Sequence, residues 1–264
     1  MKKLNFIIKY GLALLLLSFY SCESWLNVTP SDRLSEEMLF NDREGFVKAL
    51  NGVYIELNTN ELYGRNLTAG ALDVMGQYYS VASSSHAFYN YGGLVYTGND
   101  EKALFDNMWQ KCYAVIACCN TIIEKCDENK AGLSPVWKGS IKGEALALRA
   151  MLHFDMLRLF GPLTSELDKE SIPYQTNSDQ TVTPLLSGSE VIGLILDDLK
   201  NAVGLLKDTD PYFVEEEFSD TDLNYRRFRM NYFAAKGLMA RVQLWGGDKE
   251  KAAITAKEVI AEGQ

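Results

Sequence analysis

Apolar residues recur at steps of three and four through most of this chain. Within residues 44–57, Phe46, Val47, Leu50, Val53, Tyr54 and Leu57 follow that rhythm, the signature of one helical face. Residues 105–126 repeat it with Phe105, Trp109, Cys112, Tyr113, Ile116, Cys119, Ile123 and Cys126. The strongest pattern spans residues 138–160. One stripe holds Ile141, Ala145, Leu148, Leu152 and Leu159, and a second holds Leu146, Ala150, Phe154 and Leu157. A helix apolar on two sides lies between neighbours, and its alanines permit close approach. Gly161-Pro162 ends it, because proline disfavours helical geometry in the residue before it.

A stretch rich in Ser, Thr and Pro (163–188) follows and reads as loop. Ser187 and Glu190 then form a capping box for a helix that buries Ile192, Ile195, Leu199, Ala202 and Leu206. "DTDPYFVEEEFSDTDLNYRR" (208–227) has no period and reads as a surface excursion. The last 34 residues, 231–264, read as helix, Gly246-Gly247 turn, helix. Asp248 is placed to cap the second of these, with Ala252, Ala253, Ala256, Val259 and Ile260 as its inner face. A length of 34 residues with alanines at the crossing is the tetratricopeptide period. The expected fold is therefore all-α: helical hairpins of tetratricopeptide-like type joined by long irregular loops.

The start of the chain follows other rules. Residues 11–20 are mostly apolar, behind Lys2, Lys3 and Lys9. Ten residues are too few to span a bilayer, which takes about 20, so residues 1–21 read as a signal peptide. In "LLLLSFYSCESWLNVTP" (14–30) the run ends at Ser21-Cys22. This resembles the lipobox of bacterial lipoproteins, which implies lipidation of Cys22 and a mature domain over 22–264. A plain signal peptide with an incidental cysteine is the alternative.

Charge narrows the partners. The formal charge is -9, and residues 1–21 carry three lysines and no acid, so the mature chain is more acidic still. Such a chain does not attract nucleic acid. Cys112, Cys119 and Cys126 lie seven apart, about 10.5 Å along a helix, beyond the ~4.4–6.8 Å a disulfide tolerates. They are expected as buried free thiols. His86 and His153, the two histidines, stand far apart in no ligand pattern, so no metal and no cofactor is expected. The acids Asp208, Asp210, Glu215, Asp220 and Asp222 lack the glycine and spacing of a calcium loop. Asp197-Asp198 and Glu215-Glu216-Glu217 read as solvated faces rather than glycosidase pairs, and no nucleophile-elbow or phosphate-loop motif is present.

Several segments in order resemble the SusD/RagB-like surface lipoproteins of Bacteroidetes. "CESWLNVTPSDRLSEEMLF" is similar to the family's start, "FVKALNGVYIEL" to its first helix and "MWQKCYAVIACCNTIIEK" to its Trp–Tyr–Ile–Asn helix. "IKGEALALRAMLHFDMLRLFGPL" resembles its Gly-Glu-Ala…Arg-Ala helix, and "AAKGLMARVQLWGGDKEKAAITAKEVIAEG" its later repeat. Family members run to about twice this length, so the C-terminal part is expected to be absent. The resemblance implies a non-enzymatic, outer-membrane protein that captures oligosaccharide and hands it to a SusC-like TonB-dependent transporter. A tetratricopeptide-like scaffold for other proteins and a surface glycan hydrolase are the alternatives.

Sugars offer flat C–H faces to aromatic rings and hydroxyl edges to amides. "GQYYSVASSSHAFYNYGGLVYTGND" (76–100) has aromatics without a helical stripe, and in the resembled family the loop before the Trp–Tyr–Ile–Asn helix contributes to the ligand face. The candidate residues are Tyr79, His86, Tyr89, Asn90, Tyr91, Tyr96 and Asn99. Tyr89 and Tyr91 would share a side if the segment is extended, forming the platform with Asn90 or Asn99 at its rim. Tyr78 and Phe88 are expected to pack inward. The aromatics of 212–225 are the second choice.

Overall fold

Asp42 starts the first long helix. Its carboxylate accepts the Gly45 amide at 2.8 Å, satisfying one of the donors a helix leaves open at its beginning. The computed structural model describes residues 36–179, 181–214 and 217–263. Its helices are α1 (Glu36–Leu39), α2 (Arg43–Leu57), α3 (Ala71–Met75), α4 (Tyr89–Gly92), α5 (Asn99–Glu128), α6 (Pro135–Phe160), α7 (Gly188–Thr209), α8 (Asp220–Tyr225), α9 (Tyr232–Trp245) and α10 (Lys249–Glu262). The mostly helical architecture expected from periodicity is present. Cys22 and the leader lie outside the described residues.

Side-chain chemistry fixes each join. α5 ends at Asn129 in the left-handed region, φ 46°, which asparagine tolerates because its short amide bonds locally. Its Oδ1 accepts the Leu133 amide at 2.8 Å and its Nδ2 donates to the Leu133 carbonyl at 3.2 Å. Ser134 then caps α6, accepting the Trp137 amide at 3.3 Å, with Pro135 at the first helical position. The Ser187–Glu190 capping box opens α7 as expected. Gly247, φ 91°, turns the chain from α9, and Asp248 accepts the Lys251 amide to start α10.

α6 is the central rod. Both of its predicted stripes are buried, apart from half-buried Leu159, and it packs between α5 and α7. The close approach to α7 rests on glycine rather than alanine. A Cβ at Gly143 would stand 2.8 Å from Leu206 Cγ, and one at Gly139 2.6 Å from Thr209 Cγ2. The Cys112, Cys119 and Cys126 thiols are free and buried in the same core.

Two polar networks pin the loops to this rod. Arg149 forks onto Asp198 through Nε and Nη2, both at 2.7 Å, and its Nη1 donates to Asn120 Oδ1 at 2.8 Å. Tyr174 donates to the same aspartate at 2.5 Å. Farther along α6, Glu144 takes Arg226, Arg229 and Tyr54, while Arg226 also forks onto Asp210.

Three expectations are corrected. Asp198 is no solvated face: it is buried against Arg149, and its neighbour Asp197 is exposed. The 163–188 loop contains an antiparallel pair, β1 (Glu170–Pro173) and β2 (Leu185–Ser187), too short for its alternation to stand out. On α10 the inner face is Ala252, Thr255 and half-buried Val259, whereas Ala253, Ala256 and Ile260 are exposed. The Thr255 hydroxyl donates to Gln243 Oε1 of α9 at 2.9 Å, so a buried hydrogen bond turns the helix away from its greasiest side.

Candidate ligand surface

Residues 76–98 fold on a small core of their own. Ala71 and Val74 of α3 meet Tyr91 of α4, with Phe88, Tyr96 and Phe105 packed around them. Tyr91 is 2% exposed and meets Phe88, Tyr96 and Phe105 at ring separations of 5.9, 6.4 and 6.0 Å. Burial, then the Glu101 and Asp100 carboxylates, pushes its phenol up to about 12. The expected Tyr89–Tyr91 platform is therefore corrected. Residues 89–92 are helical, and positions two apart on a helix point about 200° away from each other, so Tyr89 faces out while Tyr91 faces in. The Phe88–Tyr91 spacing of three, followed by Gly92-Gly93, was the available signal.

The other candidates divide. Tyr79 and Tyr89 are exposed, and the Tyr79 hydroxyl donates to the Ala69 carbonyl. His86 is exposed, its Nδ1 accepting the Phe88 amide at 3.1 Å. Asn90 donates to Glu101 Oε1 at 2.8 Å and so acts as a strut. Tyr96 is half-buried against Phe105, where burial raises its pKa. Asn99 is exposed at the first turn of α5. Phe88 packs inward as expected, but Tyr78 does not. It is 83% exposed, and its ring lies over Gly76, whose Cβ would stand 3.1 Å from Tyr78 Cδ2.

The loop's backbone is held from within. Gln77 (φ 59°) donates from Nε2 to the Gly92 carbonyl at 2.9 Å, and Leu94 (φ 55°) stands exposed beside Val95. Aromatic contacts continue inward from Phe105 to Phe160, Trp109, Tyr113, His153 and Tyr174. A ladder of rings thus joins the loop to the Arg149–Asp198 network.

Among the acids of 208–222, Asp210 and Asp222 are engaged separately. Asp210 is wholly buried on Arg226, and Asp222 accepts the Ser219 hydroxyl at 2.7 Å. Among the described residues, no three His, Cys, Asp or Glu side chains are grouped to hold a metal ion. Tyr212, Phe213, Tyr225 and Phe228 are exposed, forming a second aromatic area.

A family model named SusD-like, described as starch-binding associating with outer membrane, matches residues 24–244. SusD-like protein P2 of Formosa agariphila is 26% identical over 98% of this chain and 46% of its own length. A SusD-like protein of Bacteroides ovatus is 30% identical over 54% of this chain and 23% of its own. Among solved structures, a SusD-like carbohydrate binding protein from Bacteroides vulgatus superposes with a TM-score of 0.67 at 23% identity, over 84% of this chain and 45% of that one. A laminarin binding SusD-like protein superposes at 0.61 and 17% identity, over 83% and 43%. The chain spans about half the length of P2 and of the two solved structures.

Proposed function

The chain belongs to the SusD-like family, and on that footing we propose that it is a lipid-anchored outer-membrane protein that holds an oligosaccharide on residues 76–98. It passes the sugar to a SusC-like TonB-dependent transporter and performs no catalysis itself. The observation that carries this reading is the loop's construction. Tyr78, Tyr79 and Tyr89 stand exposed on a base fixed by Tyr91 and Gln77. Rings held out of the core offer flat faces for sugar C–H groups, and Tyr hydroxyls, His86 and Asn99 offer hydrogen bonds at their edge. Because the backbone beneath the rings is held by Gln77 and Tyr91, little backbone ordering entropy is lost on binding.

The test is affinity electrophoresis through gels containing starch or laminarin. Joint replacement of Tyr78, Tyr79 and Tyr89 by alanine is expected to abolish retention while the melting curve stays nearly unchanged, since exposed rings contribute little to stability. Full retention by that variant overturns the placement on this loop. A scaffold role is favoured by one observation, the exposed Leu244, Ile254 and Ile260 of the last hairpin. Co-purification separates the two: a large outer-membrane barrel supports delivery, and a set of soluble partners supports the scaffold.

A further inference from the structure

Between α2, α6 and the segment 211–229 lies a cavity of about 230 Å³ that shares no residue with the 76–98 loop. The rings of Trp137, Phe218 and Tyr225 line it, together with Asn51, Ser140 and Arg229. Its cations are already answered within the protein. Arg226 is forked onto Asp210 and also reaches Glu144. Arg229 donates from Nε to Glu144 at 2.8 Å and from Nη1 to Asn51 Oδ1 at 2.6 Å. Asp222 is engaged by Ser219. Ser219 is a neutral partner, so Asp222 keeps its negative charge, and an anionic ligand would find no cation left over among the lining residues.

Hydrogen-bonding capacity does remain. The Ser140 hydroxyl and the Trp137 indole N–H have no partner among the described residues, although those residues are only 5% and 9% exposed. Among the described residues no side-chain nitrogen or oxygen is both enclosed and unpartnered, so both groups are accessible to a small polar ligand. Ser140 opens onto this cavity, and Trp137 stands between it and the groove beside Ser134. The volume corresponds to about eight waters at ~30 Å³ each, below the ~300–1,000 Å³ of sites for larger ligands.

We propose that this cavity is a second subsite, holding a single neutral pyranose ring. Trp137 already packs on Phe218 at 4.4 Å and lies under the Arg43 guanidinium at 4.8 Å, so the exposed Tyr225 ring is the wall left for the C–H face of such a ring. Ser140 Oγ and Trp137 Nε1 suit its hydroxyls, and the lack of a spare cation beside Asp222 disfavours an acidic sugar. The ligand class rests on the glycan reading above; the location rests on the cavity alone.

The experiment follows indole N–H resonances by nuclear magnetic resonance. The chain has four tryptophans, and Trp137→Phe identifies the peak of Trp137. The protein is titrated with methyl β-glucopyranoside, methyl α-mannopyranoside and methyl β-galactopyranoside, with glucuronate as the charged control. At least one neutral glycoside is expected to move the Trp137 peak with a millimolar Kd, and glucuronate to bind more weakly. Tyr225→Ala, at an exposed position that keeps the fold intact, is expected to weaken that binding about tenfold, as is Ser140→Val. Unmoved peaks with all three glycosides, or shifts that survive both substitutions, overturn the subsite. If polysaccharide retention persists in that case, the glycan reading stands without it; if retention is also missing, both fall.

Discussion

His153 is wholly buried, and both of its ring nitrogens are engaged. Nδ1 lies 3.0 Å from the Arg149 carbonyl and Nε2 accepts the Gln175 amide at 3.0 Å, so the neutral imidazole carries its proton on Nδ1. Burial lowers its pKa from 6.5 to about 3. The unfolded chain therefore takes up a proton where the folded one does not. The stability this group contributes is complete above pH 6.5 and is lost as pH falls from there toward 3, by up to about 1.4 kcal/mol per unit. Thermal melts at about pH 7 and about pH 5 test this. His153→Gln is expected to be less stable at the higher pH but to lose about 2 kcal/mol less on acidification; parallel losses refute the assignment. Sequence alone showed a histidine outside any ligand pattern. It did not show the pairing, because Gln175 and Tyr174 reach His153 only through the fold. Tyr91 teaches the same: its chemistry suits a sugar platform, and a short helix turned it inward.

Among the elements, the long helices were legible because each buries a stripe, and a stripe leaves a period. What escaped was set by contacts between elements. The strand pair β1–β2 is too short to show a period, and the inner face of α10 is chosen by Gln243 across the hairpin. The α6–α7 contact gives a paired prediction. Alanine is the better helix former, by about 1 kcal/mol over glycine, so Gly204→Ala on α7, where nothing lies within 4 Å, is expected to stabilise. Gly143→Ala is expected to destabilise by about 1–3 kcal/mol despite the same propensity gain, since its methyl drives into Leu206. Chemical denaturation of both variants measures the difference, and equal signs would mean the helices stand farther apart.

At the scale of the molecule, attachment and recognition are proposed to belong to separate parts. Among the described residues no helix is long and apolar enough to cross a membrane, and the proposed lipid at Cys22 is tested directly. Cys22→Ser is expected to leave the protein uncleaved or released. Membrane fractionation together with the mass of the mature N-terminus checks this, and unchanged sedimentation with an unchanged N-terminus refutes it. The helical scaffold has one large core, and residues 76–98 have their own, closed around Tyr91. That division matters to descent. A substitution at Tyr78 or Tyr89 is judged by what the surface holds, whereas one at Tyr91 is judged by whether the loop stands at all. If the proposed site is right, selection on ligand and selection on folding act on different positions. A lineage that met a new sugar could then rewrite the outer rings one at a time while inheriting the scaffold unaltered.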